Sequence, residues 1–432
     1  MYLLGALGFL LLVGIMIILF WGKFYPALAF VIPPIIVALL LGYNITEIGG
    51  MIQRGIGTVQ GTAVLFMFSI PFFGIMNEKG VFDPIVDWLV SKAGTNMVMI
   101  TIATVLIAIV SHLDGSAAST ALITVPAMLP LYKKMNMRPH ILVLLIAISS
   151  GTLNIVPWGG PTLRAAAMLG MDPNDVWLPL IPIQIVGFAV SLGAAIYFGL
   201  TEKRHSQTAI DYYAKSEVKS AKVSETDRVS GWKLWFNWAL IVILVLTLAM
   251  SWMPAATTFL VGLVLAILVN YSGAKNQSNA VQRQSEGVIT VATVLLASGA
   301  LVGILTDTYM IEHMGSMILS LIPEAMGAFY YHIVGAIAGP IAIIFGTDAY
   351  FFGLQPIITE VGAALGHDPV GGAHVLLMGH NSTVLVSPFT PAMFLLIGLA
   401  GVDLKDHLRF SIPWGIGLSW VFVVAGFILG IL

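Results

Sequence analysis

Long apolar runs separated by short polar turns cover most of the chain, near 2–21, 25–42, 58–76, 139–156, 177–200, 234–252, 254–272, 287–305, 371–400 and 411–431. Each is long enough for a helix that crosses roughly 30 Å of hydrocarbon. Two further segments, 96–134 and 328–366, are also apolar, but each carries one acidic residue near its middle, in SHLDGSAAST around Asp114 and in GTDAYFFG around Asp348. The pattern predicts an all-α polytopic membrane protein with ten crossings and two hairpins.

A carboxylate at the bilayer centre costs roughly 2.5–3.5 kcal/mol on insertion scales, so it is rarely kept without a polar partner or a use. Both acids are therefore candidate site residues. A Pro- and Asn-bearing break follows each hairpin, GTLNIVPWGGPTLR at 151–164 and GHNSTVLVSPFTP at 379–391. Asn154 to Pro161 and Asn381 to Pro388 share a spacing of seven. AVLFMFSIPFFGIM at 63–76 also lines up with TVLLASGALVGIL at 293–305.

A polar stretch from Thr201 to Lys233 divides the chain into two halves. If that stretch is cytoplasmic, seventeen of the nineteen Lys and Arg residues fall on its side, Arg54 falls outside and Arg164 lies at membrane depth. The positive-inside rule favours this orientation. Both termini are then outside, and the hairpins open from opposite faces, as in an inverted-repeat transporter whose site lies where broken helices meet. The Gly, Ser and Thr content of the tips favours re-entrant hairpins with unwound backbone over paired full crossings.

The 432 residues are 58% hydrophobic and 9% charged, outside the range of soluble domains. The opening MYLLGALGFLLLVG lacks a basic region and a cleavage site, so it reads as a retained helix. No cysteine is present, which excludes disulfides and thiolate chemistry. A net charge of −2 gives no sign of nucleic-acid binding. No P-loop or HExxH motif occurs, so neither ATP-driven transport within this chain nor zincin chemistry has support.

At the first tip, Gly115, Ser116 and Ser119 let main-chain groups approach a ligand, while Asp114 accepts a proton or a cation. Asp114 or Ser116 can equally be a helix cap, and a capped half-helix is itself an anion site. At the first break, Pro157 and Pro161 deny donors, and Gly159 and Gly160 permit unusual dihedrals. Asn154, Thr162 and the freed N–H groups can coordinate an anion there, with Trp158 as a wall. A kink repaired by a neighbouring helix is the plainer reading. Arg164 suits a substrate carboxylate, or a permanent pair with Asp114 or a carbonyl. The second half offers Thr347, Asp348 and Tyr350, then His380, Asn381, Ser382, Thr383 and Ser387. His112 and His380 are candidate proton carriers or hydrogen-bonded helix contacts.

These residues give the chain its resemblance to the citrate:metal/proton symporter family (CitMHS) of the ion transporter superfamily. The likeness runs through FFGIMNEKGVFDP at 72–84, LDG at 113–115, PAMLPLY at 126–132, NIVPWGGPTLRAA at 154–166, LGMDP at 169–173, DAYFFG at 348–353 and SPFTPAMFLLIGLAGVDLKDH at 387–407. The resemblance implies proton-driven import of citrate, free or with a divalent ion such as Mg²⁺ or Ca²⁺, by a plasma-membrane homodimer working as an elevator. Scaffold segments would be 1–57, 171–286 and 402–432, and transport segments 58–170 and 287–401. It also implies site roles for Asp114, Asn154, Arg164 and Asp348. The tip DGSAAS, where relatives resemble DGDGTT, lacks one carboxylate, so no metal ligands are assigned. HNSTVLV likewise departs from the Gln, Pro and His pattern expected before Ser387. An anion exporter or cation/proton antiporter of the same superfamily is the alternative. An intramembrane aspartyl protease would also use two membrane aspartates, but GxGD is absent.

Overall fold

The computed structural model describes residues 2–21, 23–205, 228–320, 323, 327–388 and 390–432, and these are helical throughout, with no strand among them. Residues 206–227 of the expected cytoplasmic loop, including Lys215, Lys219 and Lys222, lie outside the described residues.

The first half runs through α1 (Tyr2–Trp21), α2 (Pro26–Leu40), the long α3 (Ile45–Glu78) and the short α4 (Asp83–Ala93). A helix pair follows, α5 (Met97–Ser111) and α6 (Ala117–Lys134), joined at a tip. Next come α7 (Pro139–Leu153) and α8 (Gly160–Leu169) on either side of a break, then α9 (Pro173–Trp177) and α10 (Ile181–His205). The second half contains α11 (Trp232–Ala249), α12 (Ala255–Asn270), α13 (Ala274–Arg283), α14 (Ser285–Asp307) and the short α15 (Met310–Leu319). A second tip then joins α16 (Tyr330–Ile344) to a π-helical turn (Ala349–Leu354) and α17 (Gln355–Ala364). A second break separates α18 (Pro369–Asn381) from α19 (Pro391–Ala400), and α20 (Leu404–Ile428) closes the chain.

Helices occupy every predicted crossing, but several are shorter than the roughly 20 residues needed to span the hydrocarbon. Among the described residues, six helical stretches are both apolar and long enough to cross. The boundaries have local causes. An Asn44–Glu47 capping box starts α3, with the two reciprocal bonds at 3.0 and 2.8 Å. Pro26 opens α2, and Gly42, at φ +92°, follows its end.

Two close crossings organise the interior. Gly55 on α3 meets the backbone of Gly299 and Gly303 on α14, where any Cβ would strike main chain. This is the small-residue packing that lets membrane helices approach. α3 also packs on α12, as α14 does on α2. At the second crossing Gly151 of α7 lies against the carbonyl of Asn381 of α18. α7 is buried along its whole length, so it is a central helix with no lipid face.

Ion pairs tie helix ends together: Arg54–Asp307, Arg138–Glu202, Arg228–Asp83 and Arg283–Glu78. The Tyr271 hydroxyl, beyond the end of α12, donates to Glu78 at 3.0 Å, and burial together with Glu78 pushes its pKa up, so it stays a donor.

Candidate functional site

The first tip is a single 3₁₀ turn, His112–Asp114, closed by Gly115 at φ +70°, which favours glycine. Ser116 is the N-cap of α6, its hydroxyl accepting from the Ser119 N–H at 3.2 Å. Asp114 Oδ1 accepts from the Ser116 N–H at 2.8 Å. Capping therefore does occur here, and the Ser119 side chain also bonds the Asp114 carboxylate. His112 bridges Thr120 Oγ1 at 2.7 Å and Asn154 Oδ1 at 2.9 Å. With its proton on Nε2, the ring donates to Asn154 and accepts from the Thr120 hydroxyl.

The first break receives that tip. The Trp158 indole donates to the Leu113 carbonyl at 2.7 Å and stacks on Phe73, with centroids 5.5 Å apart. The Thr162 hydroxyl donates to the Ile155 carbonyl at 3.0 Å, satisfying backbone that the break leaves open. Gly159 differs from expectation, with an ordinary extended backbone at φ −69°, ψ 137°. Glycine is needed because a Cβ would strike the Asn154 carbonyl. Pro161 helps to start α8, its missing N–H being one that a first turn leaves free.

Arg164 projects from α8 to the second tip. Its Nε donates to Asp348 Oδ1 at 2.6 Å, and Nη1 donates to the Gly160 carbonyl at 3.0 Å. Of the two acids, Asp348 is thus its partner and Asp114 is not. The two side chains are 16% and 24% exposed. Gln355, at the start of α17, adds a second link to α8 through a 2.9 Å bond to the Ala165 carbonyl. The sequence reading missed Gln355; its signal was a lone amide in an apolar segment.

Within the second half, Thr347 and His380 Nε2 lie 3.1 Å apart. Ser387 donates to the Ile343 carbonyl at 2.7 Å, pinning the second break to α16. Several of the candidate hydroxyls donate to backbone carbonyls. Tyr350 is fully buried, and its hydroxyl donates to the Ala338 carbonyl at 3.1 Å. Ser382 and Thr383 bond the Gly379 carbonyl at 2.8 and 3.2 Å. Trp158 likewise braces the tip. Asn381 is buried with both side-chain polar atoms unpartnered. The matched spacing of seven is not a structural equivalence either. α8 starts around Pro161, whereas α19 starts at Pro391, after the 3₁₀ turn Val384–Val386.

The structure thus gathers tip one, the first break, Arg164 and tip two around one junction. Among the described residues no group of three or more His, Asp or Glu collects as a metal site. A cavity of about 630 Å³ lies away from this junction, at Arg54, Asp307 and Tyr309.

Half-helix tips meeting helix breaks in an apolar, all-helical protein define a membrane transporter. The fold is similar to that of the Alcanivorax borkumensis YdaH transporter, whose crystal structure shows an unusual topology, with a TM-score of 0.63, 12% identity and coverage of 90% of this chain and 89% of that one. The family model for citrate transporters, CitMHS, matches residues 4–379, and the chain belongs to that family. Relatives in Bacillus subtilis (strain 168) include a protein named citrate transporter, 33% identical over 430 residues and 99% of both chains. Another, named Mg(2+)/citrate complex secondary transporter, is 34% identical over 429 residues, 99% of this chain and 98% of the relative. The family and these relatives are transporters, not enzymes, which overturns the protease alternative.

Proposed function

We propose that this protein imports citrate or a related di- or tricarboxylate, free or complexed with Mg²⁺ or Ca²⁺, by proton symport. The observation that carries this reading is the Arg164 guanidinium at the junction of α8 and the second tip, in a member of the citrate transporter family. Arg164 would hold one substrate carboxylate, and the N-terminal turns of α6 and α8 would offer N–H groups to others. Asp114 has no ion-pair partner among the described residues, which supports a role as proton acceptor near the substrate.

The halves share an order: a long helix, a short helix, a tipped pair, a broken helix and a closing helix. Together with the exchanged packing of α3 on α12 and α14 on α2, this supports an inverted repeat. On this reading segments 58–170 and 287–401 move as the transport unit against a dimeric scaffold of 1–57, 171–286 and 402–432. The Lys and Arg distribution supports a plasma-membrane orientation with both termini outside.

Uptake of labelled citrate, malate and tricarballylate into proteoliposomes, with an imposed pH gradient and with EDTA, Mg²⁺ or Ca²⁺, tests the proposal. Citrate accumulation that collapses with the proton gradient is expected. Proton flux without labelled-citrate counterflow would favour the exporter or antiporter alternative.

A further inference from the structure

Arg164 is already occupied: Asp348 takes its Nε at 2.6 Å and the Gly160 carbonyl takes Nη1 at 3.0 Å. Two of the five guanidinium N–H donors are thus in use, and a substrate carboxylate that takes the Nε side of the fork with two prongs must displace Asp348. The carbonyl belongs to the first turn of the same helix, so Asp348 is the partner that can leave. Neutral bonds hold its tip independently of the ion pair. They include Thr347 to His380 at 3.1 Å, the Tyr350 hydroxyl to the Ala338 carbonyl at 3.1 Å and Ser387 to the Ile343 carbonyl at 2.7 Å. The tip therefore stays fastened when Asp348 lets go. The first tip is arranged differently, joined to the break by Trp158 and His112 with no ion pair among the described residues.

Resting on the citrate reading above, we infer that Asp348 is a built-in stand-in for a substrate carboxylate, and that it leaves Arg164 as a protonated carboxyl when substrate binds. Displaced but ionised, Asp348 would sit beside a bound anion without its cation, a costly arrangement in partly buried surroundings. A proton from the medium on its carboxylate removes that cost. No other bond is made or broken. The charged or titratable groups on the elements packed around Asp348 are Arg164 from α8, His380 from α18, Tyr350 of the π-helical turn, Glu360 of α17 and Tyr2 at the start of α1, with Asp114 on the opposite tip; among the described residues Arg164 is the ion-pair partner. The exchange keeps the local charge constant: Arg164 is neutralised by Asp348 in the empty carrier and by substrate in the loaded one. One proton would thus enter with each substrate through Asp348, whatever Asp114 contributes.

Calorimetric citrate binding by the purified full chain, repeated in buffers of different ionisation enthalpy, counts the protons taken up. In Asp348→Asn the count should fall by about one proton per citrate. Affinity should hold or rise, because the competing charge is gone. In proteoliposomes this variant should retain citrate/citrate exchange and lose net uptake, since the empty carrier returns with Arg164 unpaired. An unchanged proton count with weakened citrate binding would overturn the inference. Infrared difference spectra of the wild type supply a test that needs no variant. Citrate should generate a protonated-carboxyl band from the protein, and its absence would also overturn the inference. Wild-type protein that binds none of these carboxylates would sink the transport reading itself, an outcome distinct from either.

Discussion

His112 joins three pieces of the site by itself, contacting α6 through Thr120 and the first break through Asn154 from within the first tip. His112→Ala strands the buried Asn154 oxygen, and such a loss costs about 1–3 kcal/mol. A lowered unfolding midpoint in detergent, with the proton count per citrate unchanged, is expected if the ring is a strut. Loss of one coupled proton without loss of stability would instead make it a carrier. Arg164→Gln removes the guanidinium and should weaken citrate binding by about 30-fold or more, as loss of a close charge contact does. Arg164→Lys should recover only part, since a point charge cannot reproduce the planar fork. Direct citrate titration of both variants checks this. Asp114, Asn154, Arg164 and Asp348 were legible in the sequence because polar groups at membrane depth are conspicuous. Where a hydroxyl donates was not legible: Tyr350 and Thr162 have suitable chemistry, but neighbouring carbonyls consume it.

The glycine crossings make element-level packing testable. Gly303→Leu would drive a side chain into the Met51 carbonyl of α3, and overpacking of this kind costs about 1–3 kcal/mol or more. Gly57 lies on the same helix pair with open space around it, so Gly57→Leu should leave the melting temperature nearly unchanged. Equal destabilisation by both would show that the crossing is not the limiting contact. Hydropathy located the helices well, because apolar length is what the bilayer selects. It could not locate the end of the second break. Pro388 and Pro391 both suit a helix start, and only the turn that the Thr390 N–H closes on the Ser387 carbonyl at 3.1 Å, with Thr390 extended as N-cap, puts α19 at the later proline.

Over the whole molecule, the proposed division into moving and static units meets one specific obstacle. Glu202, fully buried near the end of α10, takes both the backbone N–H and Nε of Arg138 at 2.8 and 2.7 Å. That pair bridges α7 of the transport segments and α10 of the scaffold. If the units slide, it must part. The chain has no cysteine, so Arg138→Cys with Glu202→Cys can be linked by a short bis-maleimide without background reaction. Uptake should stop when the link forms; full uptake by the linked protein would require redrawing the boundary at 170/171. The sequence showed two halves but not this tie, since an acid at a helix end ordinarily reads as solvated. The buried seat of α7 also bears on how the protein is made. Its contact at Gly151 is supplied by a residue more than two hundred positions later, so α7 leaves the ribosome long before its neighbour exists. Until then Ser149, Ser150, Thr152 and Asn154 lack much of the protein surface that finally encloses them, and the nascent first half must be sheltered while synthesis of α18 catches up.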